Sequence, residues 1–269
     1  MRVRRIFQAS GRFRLAQKCS NTRSMSAPPS APRLPLSGLK LVELGHYIAA
    51  PFATRLLADL GAEVIKVEPP GGDPVRGWGS NINGNAVWFS VHGRNKLSVT
   101  LDLKKPDDRA KLIALLRRAD GLIENFRAGY LERVGLGPDV LHQENPRLVI
   151  GRISGYGQDG PYKDKPAFGA IGEAMGGLRH LTGHPGEQGL PPPRCGVSIS
   201  DDLAGIYCAL AVVSACWAVK GDPNAKGRVV DVDLVSSVFS LMEGMLPEYG
   251  LFGWVRQPAD TRAECQTIP

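Results

Sequence analysis

The chain has no acidic residue before Glu43, no paired-cysteine motif and no long uncharged span. Its five cysteines, Cys19, Cys195, Cys208, Cys216 and Cys265, show no C-x-x-C spacing, which argues against both a zinc site and a disulfide framework. Cys208 and Cys216 read instead as filling for a helix core. No G-x-x-x-x-G-K-[ST] loop, H-E-x-x-H pair or G-x-S-x-G elbow occurs, so P-loop, zincin and α/β-hydrolase chemistry lack their signatures. His180 and His184 stand four apart, but Pro185 and the surrounding glycines oppose a shared helical face, and no metal site is expected. The longest apolar run, Leu203 to Val219, falls short of the roughly 18 residues of a spanning helix and mixes large residues with Ala and Ser. It reads as a buried helix, with no membrane span.

What is present is the composition of a globular protein: 269 residues, 43% hydrophobic and 22% charged. The formal charge of +7 is concentrated at one end. Arg2, Arg4, Arg5, Arg12, Arg14, Lys18 and Arg23 lie in residues 1–30, and without them the basic and acidic residues are equal in number. A near-neutral body gives no reason to expect a nucleic-acid partner. The Arg-rich, Ser-containing, acid-free segment 1–30 reads as a mitochondrial transit peptide, which predicts the mitochondrial matrix; a disordered basic arm that binds anions is the alternative. Residues 31–38 read as a linker, 39–247 as the folded body and 248–269 as an irregular tail.

From residue 39 the pattern alternates strands and helices. Leu39 to Leu44, Glu63 to Glu68, Ser98 to Leu103, Gly121 to Glu124, Leu148 to Ile153 and Arg228 to Val232 are predicted strands. Helices are predicted from Ala50 to Leu60, from Pro106 onward and over 203–218, with another beginning at Asp233. The expected fold class is α/β, a Rossmann-like, mainly parallel sheet flanked by helices. Glu68 stands about 24 residues after the first strand, as in a dinucleotide-binding unit. Gly45-His46-Tyr47-Ile48-Ala49-Ala50-Pro51 nonetheless puts bulky residues where a pyrophosphate needs glycines, which argues against NAD or FAD. Gly169, Gly172 and Gly176 are spaced for tight backbone packing.

Asp201 stands where a polar turn meets a long apolar helix. The helix amides and dipole lower the cost of keeping a carboxylate charged beside apolar surroundings, so it suits a nucleophile. Capping of the helix by Asp201 or Asp202 is an equally physical role at that position.

Several segments together resemble one family, the class III CoA-transferases of the formyl-CoA and carnitine CoA-transferase type, with the α-methylacyl-CoA racemases as relatives. They are Pro35 to Leu44, Ala50-Pro51, Leu60 to Glu68, Gly93-Arg94-Asn95-Lys96, Leu101-Asp102-Leu103-Lys104, Glu124-Asn125-Phe126, Ser154 to Tyr162, and Asp201 followed four residues later by Gly205. They run from about residue 35 to about 247. The resemblance implies that Asp201 is the nucleophile that takes the acyl group from an acyl-CoA and later carries CoA as a thioester, with a carboxylic acid as acceptor. Asp202 is the alternative, and the step to Gly205 selects Asp201. It further implies Leu101, Lys104, Asn125, Phe126 and Arg133 as CoA contacts; without it, Lys104 and Arg133 are solvated charges and Phe126 a core aromatic. No cofactor beyond CoA, no metal, and a homodimer are implied.

Members that move CoA between succinyl-CoA and glutarate are the nearest analogy, on the ground of the expected targeting, which implies a dicarboxylate acceptor. A racemase needs a second acid or base, usually a histidine after the Gly-rich turn; Pro166-Ala167-Phe168-Gly169 supplies none, and no histidine lies between His142 and His180. Family chains continue beyond this length into a small domain and back to the first. The resemblance therefore implies a C-terminally truncated member with weak or absent turnover alone, or a non-catalytic CoA-binding remnant.

Overall fold

The computed structural model describes residues 4–5, 33–183 and 190–258. The segment read as a transit peptide lies outside them except for β1 (Arg4–Arg5), which pairs antiparallel with Leu97 and Ser98. The elements that follow are β2 (Lys40–Glu43), α1 (Ala49–Asp59), β3 (Glu63–Glu68), a two-stranded hairpin of β4 (Asn81–Ile82) and β5 (Asn85–Ala86), α2 (Val87–His92), β6 (Lys96–Thr100) and α3 (Pro106–Leu116). Next come β7 (Gly121–Glu124), α4 (Tyr130–Arg133), α5 (Pro138–Glu144), β8 (Val149–Ser154), α6 (Gly169–Met175), α7 (Leu178–Leu181), α8 (Ile199–Gly221), β9 (Val229–Asp233), α9 (Leu234–Phe239) and α10 (Met245–Phe252). Helix α10 carries regular structure as far as Phe252, into the segment read as irregular.

Strands β6, β3, β2, β7, β8 and β9 lie side by side in that order and are parallel throughout. The order reverses between β2 and β7, so the loops leaving those neighbours diverge and open a crevice at their C-terminal ends. Successive strand residues point to opposite faces. Leu41, Ile123 and Val149 join a core with α1 and α8 on one side, while Val42, Leu122 and Ile150 join a core with α3 and α5 on the other. Covered on both faces, the strands read as the near-continuous apolar runs seen in the sequence.

Helix α8 lies close against α1. A Cβ on Gly205 would sit 2.9 Å from the Ala49 carbonyl oxygen and 3.1 Å from the Phe52 ring, so only glycine permits this approach. The sequence reading of α8 as a buried helix holds for one face alone. Ala204, Cys208, Val212, Cys216 and Val219 are buried, but Leu210 is 64% and Trp217 80% exposed. By length and composition α8 is apolar enough to cross a membrane, yet its inner face forms part of the core of an α/β fold.

Beneath the crevice, charged side chains are packed into the core. Glu43 at the end of β2 receives Lys66 at 2.6 Å from β3 and Lys96 at 2.8 Å from β6, and the Thr54 hydroxyl of α1 donates to it at 2.6 Å. Lys66 also meets Asp73 at 2.8 Å. Burial alone would raise the Glu43 pKa, but Lys66 and Lys96 overcome it and hold the carboxyl at about 2. Two carboxylates and two ammonium groups thus neutralise one another where water does not reach. Replacing Lys66 by Met leaves two buried carboxylates short of a cation, and is expected to destabilise the fold by about 3–5 kcal/mol. Urea denaturation of the variant against wild type checks this, and a loss below about 1 kcal/mol would contradict the account.

Candidate active site

The loop after β2, residues 45–48, stands at the reversal point. Tyr47 adopts φ 62°, a region costly for a bulky side chain, so the surroundings must impose it. They do so from both sides. The Lys66 ammonium donates to the Gly45 carbonyl at 2.8 Å, and the Asp73 carboxylate accepts from the Tyr47 amide at 3.3 Å. From the loop just after β7, the Asn125 side chain accepts from the His46 amide and donates to the His46 carbonyl, each at 2.8 Å.

Asp201 lies in the first turn of α8. The helix starts at Ile199, four residues before the sequence reading placed it, with Ser198 at the capping position. Neither Asp201 nor Asp202 is therefore the cap. Helix α6 lies against this turn: a Cβ on Gly169 would overlap the Asp201 carboxylate, and one on Gly172 would overlap the Ser200 hydroxyl. Burial pushes the Asp201 carboxyl up to about 6; the neighbouring Asp202 adds to the rise, while a backbone amide and Arg194 oppose it.

Asp201 lines a cleft of about 340 Å³ with His46, Asn125, Phe126, Lys163 and Lys165. A smaller cavity of about 100 Å³ is lined by Leu101, Lys104, Phe126 and Tyr130. His46 and Phe126 line both, with their rings edge to face at 5.3 Å, so the two spaces adjoin across this pair. The structure thus places Asp201, Asn125 and Phe126 in the cleft, and Leu101, Lys104 and Phe126 around the smaller cavity beside it. Asn125 spends its amide on the His46 backbone. Arg133 is a lining residue of neither cavity; its guanidinium lies 6.0 Å over the Tyr130 ring and 3.4 Å from the Ala128 carbonyl. No cluster of His, Cys, Asp and Glu among the described residues has the geometry to hold a metal ion.

The sequence reading missed His46, Lys163 and Lys165. His46 brings an imidazole into the Asp201 cleft from a loop remote in sequence, although the interval from 142 to 180 is free of histidine. Burial lowers its pKa, with nearby carboxylates opposing. The two lysines belong to the segment after Tyr162, where a Pro- and Gly-rich pattern gave no periodicity that reveals a direction. Together these groups line a cleft that holds a carboxylate of raised pKa, an imidazole and two lysines. Beside it lies a small recess of apolar and aromatic side chains edged by Lys104, Asp102 and Glu68.

The chain spans about half the length of the relatives it matches. A succinyl-CoA–D-citramalate CoA-transferase of Chloroflexus aurantiacus is 48% identical over 228 residues, covering 84% of this chain and 56% of that protein. A succinyl-CoA:glutarate CoA-transferase of Mus musculus is 36% identical over 217 residues, covering 80% and 49%. Among solved structures, a CAIB/BAIF family protein from Brucella suis superposes with a TM-score of 0.78 at 33% identity, covering 84% of this chain and 60% of that one. The sequence pattern of the family described as CoA-transferase family III matches residues 36–268, and the chain belongs to that family.

Proposed function

We propose that the protein transfers CoA from an acyl-CoA to a carboxylic acid, with Asp201 as the group that carries the cargo. The observation that supports this most strongly is the position of Asp201: a half-buried carboxylate in a cleft that adjoins a recess edged by Lys104. CoA would place its nucleotide at Leu101 and Lys104 and run its thiol end past His46 and Phe126 to Asp201. A carboxylate oxygen attacks the thioester carbonyl carbon, the C–S bond breaks, and an aspartyl–acyl anhydride and CoA thiolate result. The thiolate then attacks the aspartyl carbonyl, releasing the donor's acid and leaving CoA as a thioester on Asp201. The acceptor carboxylate repeats these two steps in reverse, so no redox change or external co-reactant is needed. Relatives described as acting on D-citramalate, L-malate and glutarate with succinyl-CoA support a dicarboxylate acceptor.

A racemase reading would pair His46 with Asp201 across the same cleft. Transfer is preferred because these relatives are CoA-transferases. The outer faces of α8 and α10 expose Trp217, Leu210, Leu251 and Phe252, apolar area of the kind that self-association covers. Sedimentation of the full chain is expected to show a dimer, and a monomer at all concentrations would remove that part of the reading.

Asp201→Asn is expected to abolish exchange between succinyl-CoA and a panel of dicarboxylates, by at least about 10³-fold, the scale of losing a covalent nucleophile. Hydroxylamine added during turnover should modify position 201, and labelling elsewhere would assign the chemistry to another residue. Because the attacking group is the ionised form, activity should fall as pH drops through about 6. The folded pKa lies above the ordinary value, so ionising Asp201 costs stability as pH rises through that range. Gly169→Ala pushes directly on this carboxylate. Exchange should fall by about 10²-fold while unfolding changes little, since misplacement by about 1 Å suffices. Wild-type exchange in this variant would show that α6 does not set the position of Asp201.

A further inference from the structure

Every residue that the stretch from β7 to α4 gives to the cleft and the recess lies between two carboxylates. Asn125, Phe126, Arg127 and Ala128 line the cleft, and Phe126 and Tyr130 line the recess. Glu124 precedes them at the end of β7, and Glu132 follows them in α4. One guanidinium meets both. Arg152, on β8 and only 4% exposed, donates from Nε to Glu124 at 2.8 Å and from its two terminal nitrogens to Glu132 at 2.6 and 3.1 Å. The second Glu124 oxygen accepts the Phe126 amide at 2.6 Å, so this end of the clasp reaches the backbone that carries Asn125 and Phe126. At the other end Tyr130 stands two residues before Glu132, with its ring 4.5 Å from that of Phe126.

A guanidinium spreads five donors over three nitrogens in a fixed plane, which lets it serve carboxylates on two different elements at once; an ammonium donates from a single nitrogen. Arg152 lines neither space, and Asp231, its register partner on β9, turns its carboxylate to the Gln158 amide at 2.8 Å. The Arg152 side chain is thus spent on closing residues 124–132 into a loop. The two ends of that loop differ in environment. Glu124 is 1% exposed, and removing its cation would leave a buried charge unpaired, whereas Glu132 is 46% exposed. Leu131, fully buried, keeps α4 anchored in the core whether or not Glu132 is paired. Glu132 is therefore the end at which the loop opens without dismantling the core.

We propose that Arg152 is a positioning residue for CoA: by clasping Glu124 and Glu132 it holds residues 125–130 in the form that lines the recess. The proposal rests on the reading of the recess as the place where CoA lies. Glu132→Ala in the full chain is the test, with the melting temperature as control for folding. Amide hydrogen exchange over residues 125–131 should accelerate at least about tenfold while the sheet strands keep their protection, the mark of a local opening. Titrated with CoA, the variant should bind at least about tenfold more weakly, the scale of charge-assisted hydrogen bonds lost from the loop. The KM for succinyl-CoA should rise by a similar factor with kcat within about threefold, a split that a general loss of folded protein does not produce. Unchanged exchange over 125–131, wild-type affinity for CoA, or a loss confined to kcat would each overturn the proposal. A wild-type chain that binds no CoA would remove the transfer reading along with it, whereas a variant that binds CoA as the wild type does would remove the clasp alone.

Discussion

Glu43 ends the central strand of the sheet with its carboxylate wholly removed from water, and the arrangement of the crevice depends on how that charge is met. Lys66 comes from the strand on one side, Lys96 from the strand beyond it, and Thr54 from the helix that covers them. These contacts tie β2, β3, β6 and α1 at one point. The same groups spend their remaining hydrogen-bonding capacity on backbone: Lys66 on the Gly45 carbonyl and Lys96 on the Pro51 carbonyl. Both ends of the segment that borders the cleft are thereby fixed, which is how Tyr47 is kept at a positive φ. Such a cluster contributes geometry more surely than net stability, because desolvating four charged groups offsets most of their attraction.

The second constraint is steric. Asp201 owes its position to the absence of side chains around it: Gly205 lets α8 settle on α1, and Gly169 lets α6 close over the first turn. A carboxylate enclosed in this way loses water on several sides, which accounts for the rise of its pKa against the pull of the helix amides. Burial wins because Arg194, the cation acting on it, is itself largely in solvent and is shared with Glu173.

Much of this was legible in the sequence, and the failures have physical causes. β3, β7 and the start of α3 agree with periodicity and with Pro106 at a first helical position. The doubly wound order followed from strand and helix alternation. The start of α8 was placed late because Gly-Val-Ser-Ile-Ser looks like a turn, although its last two residues are helical; this made Asp201 look like a cap. Lys66 and Lys96 sit in strands where a charged residue suggests a solvent-facing position. Their burial is visible only once Glu43 and Asp73 arrive from elsewhere in the chain. His46 escaped notice for the same reason: its proximity to Asp201 is produced by the sheet order, which no local pattern encodes. The buried face of α8 was readable and its open face was not, since both faces are apolar.

Two glutamates at the ends of neighbouring strands show how finely the crevice is balanced. Glu43 and Glu124 are equally buried, on β2 and β7, and burial acts in the same sense on both. Glu43 is met by two ammonium groups that share its environment, and its pKa falls to about 2. Glu124 is met at 2.8 Å by the single guanidinium of Arg152, which also serves Glu132 at 2.6 Å, and its pKa rises to about 7. One cation divided between two acids does not offset the loss of water; two cations on Glu43, one of them shared with Asp73, do. Glu124 also accepts the Phe126 amide at 2.6 Å, so its protonation state bears on the backbone that carries Asn125 and Phe126 into the cleft. Glu43 acts on the loop after β2 through Lys66, which it shares with the Gly45 carbonyl. The loop facing it accepts its support from a carboxyl whose pKa burial raises against the pull of Arg152.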